Sequence, residues 1–428
     1  MYKVSSKWNL DQWLHHLESR HTQEIQLELT RVLEVARNLG VNTPSCKVIT
    51  VAGTNGKGST VTALGTLYHQ AGYKTASYTS PHLIRFNERI KINLTPVSDD
   101  ELCHLFSTIE ETRGDVILTY FEMATLAALL HFKQQKPDVI ILEVGLGGRL
   151  DATNIVDADL AIITTIDFDH QDYLGDTLEA IGFEKAGILR EGKPFIYADI
   201  NPPASIVEVA NNLNTSAYYF DKDIYVNDRG TCWDFKFLKT QFDELPKPSI
   251  QLKSASAAIA ATILLANELP ISQEDIKKAM QSIFIPGRLQ LKRGDINVLF
   301  DVSHNAQSAR LLARTIKSLD GKNTVHAVFS ALKDKDLFGL IFPLKDCVDR
   351  WYPAQLDNKR ASDKELLLSV FRDAETCVEL CYNSPLAAFE SAVNQAKSGD
   401  LIVVYGSFFT VGHVMAAHHK ILEQKENQ

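Results

Sequence analysis

Apolar and amphipathic segments alternate along most of the chain, and their lengths predict the elements of the fold. Residues 138–144 (DVIILEV), 160–165 and 195–198 are short apolar runs of the kind that form buried parallel strands. The longer segments Lys57–Gln70 and Tyr120–Gln135 have the composition and end signals of helices. Strands and helices that alternate in this way predict an α/β fold whose first domain is a doubly wound, mostly parallel sheet.

The pattern changes twice in the second half of the chain. Residues 218–245 alternate aromatic and polar positions around an Asp-Arg-Gly turn, which predicts a small antiparallel hairpin region at the margin of the first domain. Pro286 and Gly287 then interrupt the helical pattern, and we place the domain boundary there. The first domain spans residues 1–286, and residues 287–428 repeat the strand–helix rhythm as a smaller, Rossmann-like α/β domain. Its predicted strands are 298–302, Val325–Phe329, 350–352 and Leu401–Tyr405.

Composition and charge exclude several classes of function. The 428 residues suffice for two or three domains, and a hydrophobic content of 45% with 23% charged residues is typical of a globular protein. With 53 acidic against 44 basic residues the net charge is −9, so we expect no nucleic-acid partner. No apolar run reaches the roughly 18 to 20 residues that span a bilayer, and the six cysteines are scattered. We therefore expect a cytoplasmic protein that does not bind membranes, with a monomer as the default state.

Residues 48–60 (VITVAGTNGKGST) are the most informative stretch of the sequence. An apolar run ends in a glycine-rich turn, and Lys57 follows at the predicted start of a helix, which is the arrangement of a phosphate-binding loop. The glycines let the backbone approach an anion, and the lysine adds a mobile point charge. The spacing departs from the common pattern, because Val51 stands where a glycine is usual and Gly58 follows the lysine. This stretch indicates an enzyme that uses ATP.

Three polar residues follow predicted strands of the first domain, where ligands bind in open α/β sheets. Glu143 closes the 138–144 strand, His170 comes just after the next strand, and Ser80 follows Thr75–Tyr78. Each has an ordinary alternative: a helix cap, a structural histidine and the start of a turn. Because the three would lie at strand ends of one sheet beside a phosphate loop, we expect them to surround a magnesium ion.

A series of motifs then narrows the interpretation. GTNGKGS, TSPHL, RFNERI, LTYFE, EVGLGGRLDATN, EKAGI and PGR occur in this order along the chain. In order and spacing they resemble the folylpolyglutamate synthase and dihydrofolate synthase family, which belongs to the ATP-dependent Mur-type amide ligases. The resemblance extends from about residue 13 to residue 413, and LTYFE with RLDAT is most similar to the bifunctional bacterial branch.

The resemblance implies a reaction. A substrate carboxylate attacks the γ-phosphate of ATP and becomes an acyl phosphate, and the α-amine of L-glutamate then displaces phosphate to form an amide. The implied acceptors are 7,8-dihydropteroate and reduced folates, and the implied cofactors are ATP and two Mg²⁺ ions. In such a reaction the protein positions the reactants and neutralises the charge on the transferring phosphoryl group.

The resemblance also assigns nucleotide and metal ligands. Ser80, Glu143 and His170 would bind Mg²⁺, and Lys185 in EKAGI matches a lysine that is carbamylated in this family. The carbamate would be an anion that helps to hold the second Mg²⁺; without the resemblance, Lys185 would be interpreted as an exposed helix lysine. The residues that would hold the triphosphate are Gly53, Thr54, Asn55, Gly56, Lys57, Gly58 and Ser59.

A pocket for the pterin end of the substrate is implied by two further motifs. Phe121 would stack on the flat pterin or benzoate ring, although an aromatic residue at that place is equally typical of a core. The implied pocket residues are Thr119, Tyr120, Phe121, Glu122, Leu150, Asp151 and Ala152.

The second domain would close on the nucleotide and exclude water from the acyl phosphate. Arg288, directly after Pro286-Gly287, would reach an ATP phosphate, and Asp301 would bind the nucleotide or a magnesium-bound water. His304 would lie near the phosphates and the incoming glutamate. It completes an implied catalytic set with Lys57 and Lys185.

Three positions depart from the family pattern. Ser303 and Ala306 replace the alanine and proline of a D-x-A-H-N-P motif, and both changes are small. Ser256 stands where the family commonly has an asparagine on the adenine side of the nucleotide. A hydroxyl offers one hydrogen-bond donor there instead of the paired donor and acceptor of an amide.

The sequence leaves three other functions to consider. A folylpolyglutamate synthase without activity on dihydropteroate is the most serious rival. A Mur ligase that acts on a cell-wall nucleotide peptide fits less well, because the phosphate loop begins at residue 53 and leaves no room for a UDP-binding domain before it. A non-catalytic regulator with this fold would be expected to lack the phosphate lysine or the metal carboxylate, and Lys57 and Glu143 are both present.

Overall fold

The chain forms two compact units. The computed structural model describes residues 8–20, 26–376 and 378–426. The first unit comprises Met1–His82 and Phe86–Phe284, and the second comprises Leu83–Arg85 and Ile285–Gln428. The units therefore divide two residues before the predicted boundary, and a three-residue segment from early in the chain belongs to the second unit, which the sequence did not predict.

The first unit is built on an eight-stranded sheet and a separate three-stranded sheet. In chain order its strands are β1 (Lys47–Ala52), β2 (Thr75–Tyr78), β3 (Ile90–Ile92), β4 (Thr95–Pro96), β5 (Val139–Glu143), β6 (Leu160–Ile163), β7 (Pro194–Tyr197), β8 (Ser216–Tyr219), β9 (Ile224–Asp228), β10 (Cys232–Phe237) and β11 (Thr240–Pro246). The large sheet has the order β4-β3-β2-β5-β1-β6-β7-β8 and is parallel except at β3 and β4. Strands β5, β1 and β6 are central, so their carboxyl ends meet at one edge of the sheet.

Helices cover both faces of the large sheet. They are α1 (Leu10–Arg20), α2 (Thr30–Leu39), α3 (Lys57–Gln70), α4 (Asp99–Thr112), α5 (Tyr120–Gln135), α6 (Gln171–Leu174), α7 (Leu178–Ala186), α8 (Ala204–Asn212), α9 (Leu252–Leu264) and α10 (Gln273–Ser282). Alternate residues of β5 face opposite cores: Ile140 and Leu142 pack with residues of α4 and α5, and Ile141 packs with residues of α3 and α9. The doubly wound architecture predicted for this part of the chain is confirmed.

The predicted hairpin region is a three-stranded antiparallel sheet. Strands β9, β10 and β11 pair in the order β11-β10-β9. Trp233, Phe235 and Phe237 alternate along β10, are buried, and pack with residues of α9 and α10. Tyr218, which the prediction included in the hairpin, lies instead on β8, where it pairs in parallel with β7. The aromatic alternation predicted the antiparallel sheet but did not show where the large sheet ends.

The second unit contains a five-stranded sheet. Its strands are β12 (Gln290–Lys292), β13 (Asn297–Asp301), β14 (Val325–Phe329), β15 (Arg350–Pro353) and β16 (Leu401–Tyr405), and its helices are α11 (Ala306–Ser318), α12 (Leu337–Ile341), α13 (Lys364–Asp373), α14 (Pro385–Gln395) and α15 (Phe408–Glu426). The order is β12-β13-β16-β14-β15, and only β12 runs antiparallel. This is the smaller α/β unit expected from the sequence. Across the described ranges, no helix is both long and apolar enough to cross a membrane.

Leu83 is part of the packing of the second unit. Its side chain lies against the core that includes Val302 and Val411. A Cβ atom added to Gly412 would lie 2.1 Å from the carbonyl oxygen of Leu83. Only glycine therefore fits at position 412 while the 83–85 segment is in place.

A buried polar network connects β14, β15 and the residue that precedes β16. The Nδ1 atom of His326 lies 2.9 Å from the Tyr352 hydroxyl, and its Nε2 atom lies 3.3 Å from the Asp400 carboxylate. Burial lowers the pKa of His326 below its ordinary value of 6.5, and Asp400 only partly opposes this effect.

We expect the second unit to lose stability as the pH falls below about 6.5. There the unfolded chain binds a proton at residue 326 that the folded unit resists binding, so acid favours unfolding. The measurement is hydrogen exchange of peptides from β14 and β16 at pH values of about 7.5 and 5.5. The rates are first corrected for the slower intrinsic exchange of amides at lower pH. The corrected exchange should accelerate at the lower pH in the wild type and respond less in His326→Gln, whereas an equal response in both would contradict the assignment.

Candidate active site

The turn between β1 and α3 has the backbone geometry of a phosphate-binding loop. Gly53 has φ 140°, and a Cβ atom added there would lie 1.9 Å from the Oγ1 atom of Thr164. Gly56 has φ 88° and is the N-cap of α3. The N–H groups of the first helical turn, including those of Gly58 and Ser59, have no partner within the helix. A helix start of this kind binds anions.

The two threonines that directly follow β6 hold the loop in shape. The backbone N–H of Thr54 donates to the Thr165 carbonyl (2.8 Å), and that of Asn55 donates to the Thr165 hydroxyl (3.0 Å). The Thr164 hydroxyl donates to the Asn55 carbonyl at 2.6 Å. The ammonium of Lys57 lies over the loop, 2.9 Å from the carbonyl oxygen of Gly53. The loop is therefore preorganised, with its cation next to the helix start.

A buried carboxylate lies against the same helix start. Glu143 is the last residue of β5, which pairs with β1, and its side chain is buried. Its Oε2 atom accepts a hydrogen bond from the backbone N–H of Ser80 (3.2 Å). A Cβ atom added to Gly58 would lie 3.5 Å from the same oxygen. The structure thus brings Ser80 and Glu143 together beside the phosphate loop.

His170 lies on the loop that follows β6, at the same edge of the sheet. Its backbone is in the left-handed region with φ 51°, and its N–H donates to the Asp169 carboxylate at 2.9 Å. Its side chain is 32% exposed, so a ligand has access to the ring. A hydroxyl, a carboxylate and an imidazole are thus placed at the ends of β2, β5 and β6. These groups suit a cation that takes its remaining ligands from water and phosphate oxygens.

Lys185 is buried, and the alternative of an exposed helix lysine is wrong. It lies on α7 with 5% of its surface exposed, and its Nζ atom donates to the carbonyl oxygen of Gly53 at 3.2 Å. Burial, followed by repulsion from the nearby Lys57, lowers the pKa of Lys185 to about 7. A large fraction of this amine is therefore neutral at neutral pH, which makes it nucleophilic.

The first turn of α5 lies next to the loop that follows β5. Thr119 and Glu122 make a capping box, in which each side chain accepts a hydrogen bond from the other's backbone N–H. The ring of Phe121 lies directly against Gly145. A Cβ atom added to Gly145 would come within 2.3 Å of that ring. The ring centroid of Tyr78 lies 5.9 Å from that of Phe121. Phe121 thus belongs to an aromatic surface next to the β5 strand end.

Asp151 organises the glycine-rich loop that follows β5. Its carboxylate is buried and accepts hydrogen bonds from the N–H of Leu146 (2.8 Å), the N–H of Thr153 (3.0 Å) and the hydroxyl of Thr153 (2.7 Å). Burial raises its pKa, and these donors oppose the rise. Ala152 packs in the same core as Tyr120 and Phe121. The structure therefore brings the loop that contains Leu150 to the predicted pocket segment of α5.

The second unit has its own polar cluster at the carboxyl end of β13. Asp301 is buried and accepts hydrogen bonds from the backbone N–H groups of Leu289 (2.8 Å) and Ser303 (3.0 Å). Burial raises the pKa of Asp301, and the positive charge of Arg288 opposes the rise. The Arg288 guanidinium lies 5.3 Å from the ring centroid of Phe408, and the His304 ring lies 5.9 Å from it. Arg288, Asp301 and His304 are thus brought together.

The side chain of Ser256 is limited in the hydrogen bonds that it can offer a ligand. It is buried in α9, and its hydroxyl donates to the Leu252 carbonyl of its own helix at 2.6 Å. Its only hydrogen-bond donor is therefore already in use. The adenine contact predicted for this position stays a prediction.

Three contributors to the site were not predicted from the sequence. The Thr164–Thr165 pair shapes the phosphate loop, Gly145 supports Phe121, and Arg31 forms an ion pair with Glu122. A threonine pair at a strand end is a signal that could have been noticed. The partnership of Arg31 and Glu122, 91 residues apart, leaves no local signal.

Comparisons with known proteins define the class and then the family. Residues 51–231 match the Mur ligase middle domain, and residues 287–408 match the Mur ligase glutamate ligase domain. Together with the phosphate loop on a doubly wound sheet, they make the protein an ATP-dependent ligase of the Mur type. The chain belongs to the dihydrofolate synthase/folylpolyglutamate synthase family.

Three matches, one to a protein sequence and two to solved structures, support this assignment. The chain is 42% identical over 410 residues to the dihydrofolate synthase/folylpolyglutamate synthase of Escherichia coli K12, covering 95% of this chain and 94% of that protein. The structure of E. coli FolC in complex with DHPP and ADP matches with a TM-score of 0.92 and 40% identity, over 97% of this chain and 99% of that one. The bifunctional Yersinia pestis enzyme complexed with AMPPNP and Mn ion matches with a TM-score of 0.89 and 42% identity, over 97% and 99%.

Proposed function

We propose that this protein joins L-glutamate to 7,8-dihydropteroate and to the γ-carboxylate of reduced folates at the expense of ATP. The main support for this proposal is that the phosphate loop and the loop that supports Phe121 lie at the same edge of the large sheet. A preorganised phosphate loop at the end of β1 lies next to β5, whose end leads into the loop that supports Phe121. An ATP phosphate and a flat acceptor substrate are thereby presented to each other by neighbouring strands.

The reaction begins with phosphoryl transfer. The carboxylate of the acceptor attacks the γ-phosphorus of ATP, the bond to the β-phosphate oxygen breaks, and ADP leaves. Lys57 and the N–H groups at the start of α3 stabilise the negative charge on the transferring group. The α-amine of glutamate then attacks the acyl carbon, phosphate leaves, and the amine loses a proton. The products are the amide, ADP and phosphate.

Ser80, Glu143 and His170 would hold a divalent cation, and Mg²⁺ is our assignment. When bound, the cation would neutralise phosphate charge and orient the nucleotide. We assign a second Mg²⁺ to the carbamate of Lys185, and the burial of this amine against the Gly53 carbonyl supports the assignment. The Mn ion and AMPPNP in the Yersinia pestis structure support the use of a divalent cation and a nucleotide.

The pocket beside β5 would take the ring end of the acceptor. Phe121 offers a flat surface to a pterin or benzoate ring, and its position on Gly145 orients that surface. The DHPP in the E. coli FolC structure supports a pocket for such a ligand. We assign the remaining pocket positions to Thr119, Tyr120, Glu122, Leu150, Asp151 and Ala152.

The second unit would contribute to nucleotide and glutamate handling. Arg288 is assigned to an ATP phosphate, Asp301 to the nucleotide or a metal-bound water, and His304 to the glutamate step. The match of residues 287–408 to a glutamate ligase domain supports this division. We place the protein in the cytoplasm as a monomer; the five described cysteines are all free thiols, which suits a reducing compartment.

We expect Arg288→Ala to lower ATP-dependent turnover by roughly 20-fold, the value of one charge-assisted hydrogen bond. The measurement is steady-state ADP release, with circular dichroism to show that the fold is intact. Arg293→Ala is the matched control, because Arg293 is an exposed arginine in the turn between β12 and β13. Turnover close to that of the wild type in Arg288→Ala would remove this residue from the site.

The function itself is tested by ADP release from purified protein with Mg-ATP and L-glutamate. One reaction contains 7,8-dihydropteroate and the other contains tetrahydrofolate, and mass spectrometry identifies each product. Turnover with both acceptors would establish the bifunctional enzyme. Turnover with tetrahydrofolate alone would make the protein a folylpolyglutamate synthase. The absence of turnover with either, while ATP still binds, would contradict the proposal.

A further inference from the structure

A buried ion pair connects α2 to the start of α5. The Nε atom of Arg31 lies 2.9 Å from Oε1 and 3.0 Å from Oε2 of Glu122. The two side chains are 15% and 4% exposed. A second contact steadies the guanidinium, because its Nη2 atom donates to the Gln26 carbonyl at 3.1 Å. Its Nη1 atom also lies 3.5 Å from the exposed carboxylate of Glu28. Removal of Arg31 would leave the buried Glu122 carboxylate without its cation.

The same carboxylate is part of the helix cap. Its Oε2 atom accepts the backbone N–H of Thr119 at 2.7 Å, and the N–H of Glu122 donates to the Thr119 hydroxyl at 3.2 Å. The two carboxylate oxygens thus share one N–H of Arg31, and Oε2 also accepts the N–H of Thr119. Arg31 and the Thr119 N–H therefore hold the Glu122 carboxylate between them at the first turn of α5.

The aromatic surface depends on that turn. Phe121 lies between the two members of the cap, and its carbonyl accepts a hydrogen bond from the Thr125 hydroxyl at 2.9 Å. Its ring rests on Gly145, where no Cβ atom would fit. Because the ring fills this gap so closely, a small shift of the turn changes where the flat surface lies.

We propose that Arg31 is a positioning residue for the acceptor pocket. It neutralises and orients Glu122, and so fixes the place of Phe121 against which the ring end of the acceptor binds. This inference rests on the proposed function, since it names a residue that acts through the pocket on acceptor binding. Arg31 lies outside the phosphate loop and touches none of the residues assigned to ATP.

The test compares Michaelis constants for two substrates in variants of the full-length protein. We expect Arg31→Met to raise the KM for 7,8-dihydropteroate on the order of tenfold, as displacement of a binding surface does, while the KM for ATP stays unchanged. Arg31→Lys keeps the charge but not the planar guanidinium that contacts Glu122 and the Gln26 carbonyl together. It should show an intermediate rise and remains informative if Arg31→Met does not fold. Arg37→Met is the matched control, because Arg37 is an exposed arginine on the same helix.

A double-mutant cycle separates positioning from general loss of stability. Glu122→Gln retains a residue type that supports a capping box but removes the charge that Arg31 neutralises. If Arg31 acts through Glu122, Arg31→Met should raise the KM for dihydropteroate far less in the Glu122→Gln background than in the wild type.

Three results would decide against the inference in different ways. Equal rises of both KM values, or full additivity with Glu122→Gln, would show that Arg31 only stabilises the fold. An unchanged KM for dihydropteroate in a folded Arg31→Met protein would show that the ion pair does not position the pocket. Failure of the wild type to turn over dihydropteroate would contradict the proposed function, and the inference would fall with it.

Discussion

Lys57→Met is expected to reduce kcat on the order of 100- to 1,000-fold with little effect on folding, the largest effect that we predict. The ammonium of Lys57 lies over the phosphate loop on the carbonyl oxygens of Gly53 and Thr54, 2.9 and 3.2 Å away. In the proposed reaction, a cation held there would meet the charge that develops on the transferring phosphoryl group. Methionine preserves the length and apolar stem of the side chain but supplies no charge.

The matched control for this variant is Lys47→Met. Lys47 is the first residue of β1, the strand that leads into the loop, and lies at the end of that strand away from the loop. It forms an ion pair with Glu268 at 2.9 Å. Steady-state ADP release should be nearly unchanged in Lys47→Met and strongly reduced in Lys57→Met. If both variants lost activity equally, the effect would come from strand stability and not from the phosphate loop.

Lys185→Met is expected to lower turnover by roughly 100-fold, and Lys185→Arg should not restore it. A neutral amine attacks the carbon of CO₂ and loses a proton, which leaves a carbamate anion on the nitrogen. Arginine keeps a positive charge and cannot form this group. Because the pKa of Lys185 is about 7, the reactive neutral amine becomes scarce as the pH falls below that value, and dependence on added bicarbonate should increase.

Two measurements check this prediction. ¹³C NMR of the enzyme equilibrated with ¹³CO₂ should show a carbamate signal that Lys185→Arg lacks, and bicarbonate should restore activity to enzyme freed of CO₂. Lys193→Met serves as control, because Lys193 is a half-exposed lysine paired with Asp159. Full activity in CO₂-free enzyme, with no carbamate signal, would mean that Lys185 acts as an unmodified amine.

Local signals in the sequence predicted much of the fold. The helix Tyr120–Gln135 was predicted to the residue, because Thr119 caps its start and Lys136 is followed by a proline. The strand Leu401–Tyr405 was equally clear, because all five of its residues are buried and apolar enough to form a continuous run. Elements of this kind carry their own boundaries, so neighbouring residues suffice to predict them.

The elements that were missed depend on distant partners. Strands β3 and β4 are short and include polar residues. Strand β3 forms because β2 offers an unpaired edge to it, and β4 then pairs with β3. The two amino-terminal helices pack their buried faces on α4 and α5, which lie far along the chain. Pairing and packing at this distance leave no mark on the local pattern.

In the candidate site, too, some residues could be predicted from local signals and others depend on distant packing. The residues of the phosphate loop were evident from glycine spacing, and Glu143 was evident from its place at a strand end. The burial of Lys185 was not, because α7 has an ordinary composition and its lysine is buried only when the helix packs next to the loop that contains Gly53. Lys185 was predicted as a site residue only because the EKAGI motif resembles that of the family.

The segment Leu83–Arg85 has a consequence for how this protein could be divided or recombined. A fragment that begins at Ile285 would contain every strand of the second sheet but would lack Leu83, which packs against Val302 and Val411. The groove that Gly412 leaves for the Leu83 backbone would then open to solvent. Part of the packing of the second unit is therefore encoded about two hundred residues before the rest of it. A single cut in the chain cannot release this unit intact, and a single genetic crossover cannot exchange it between proteins.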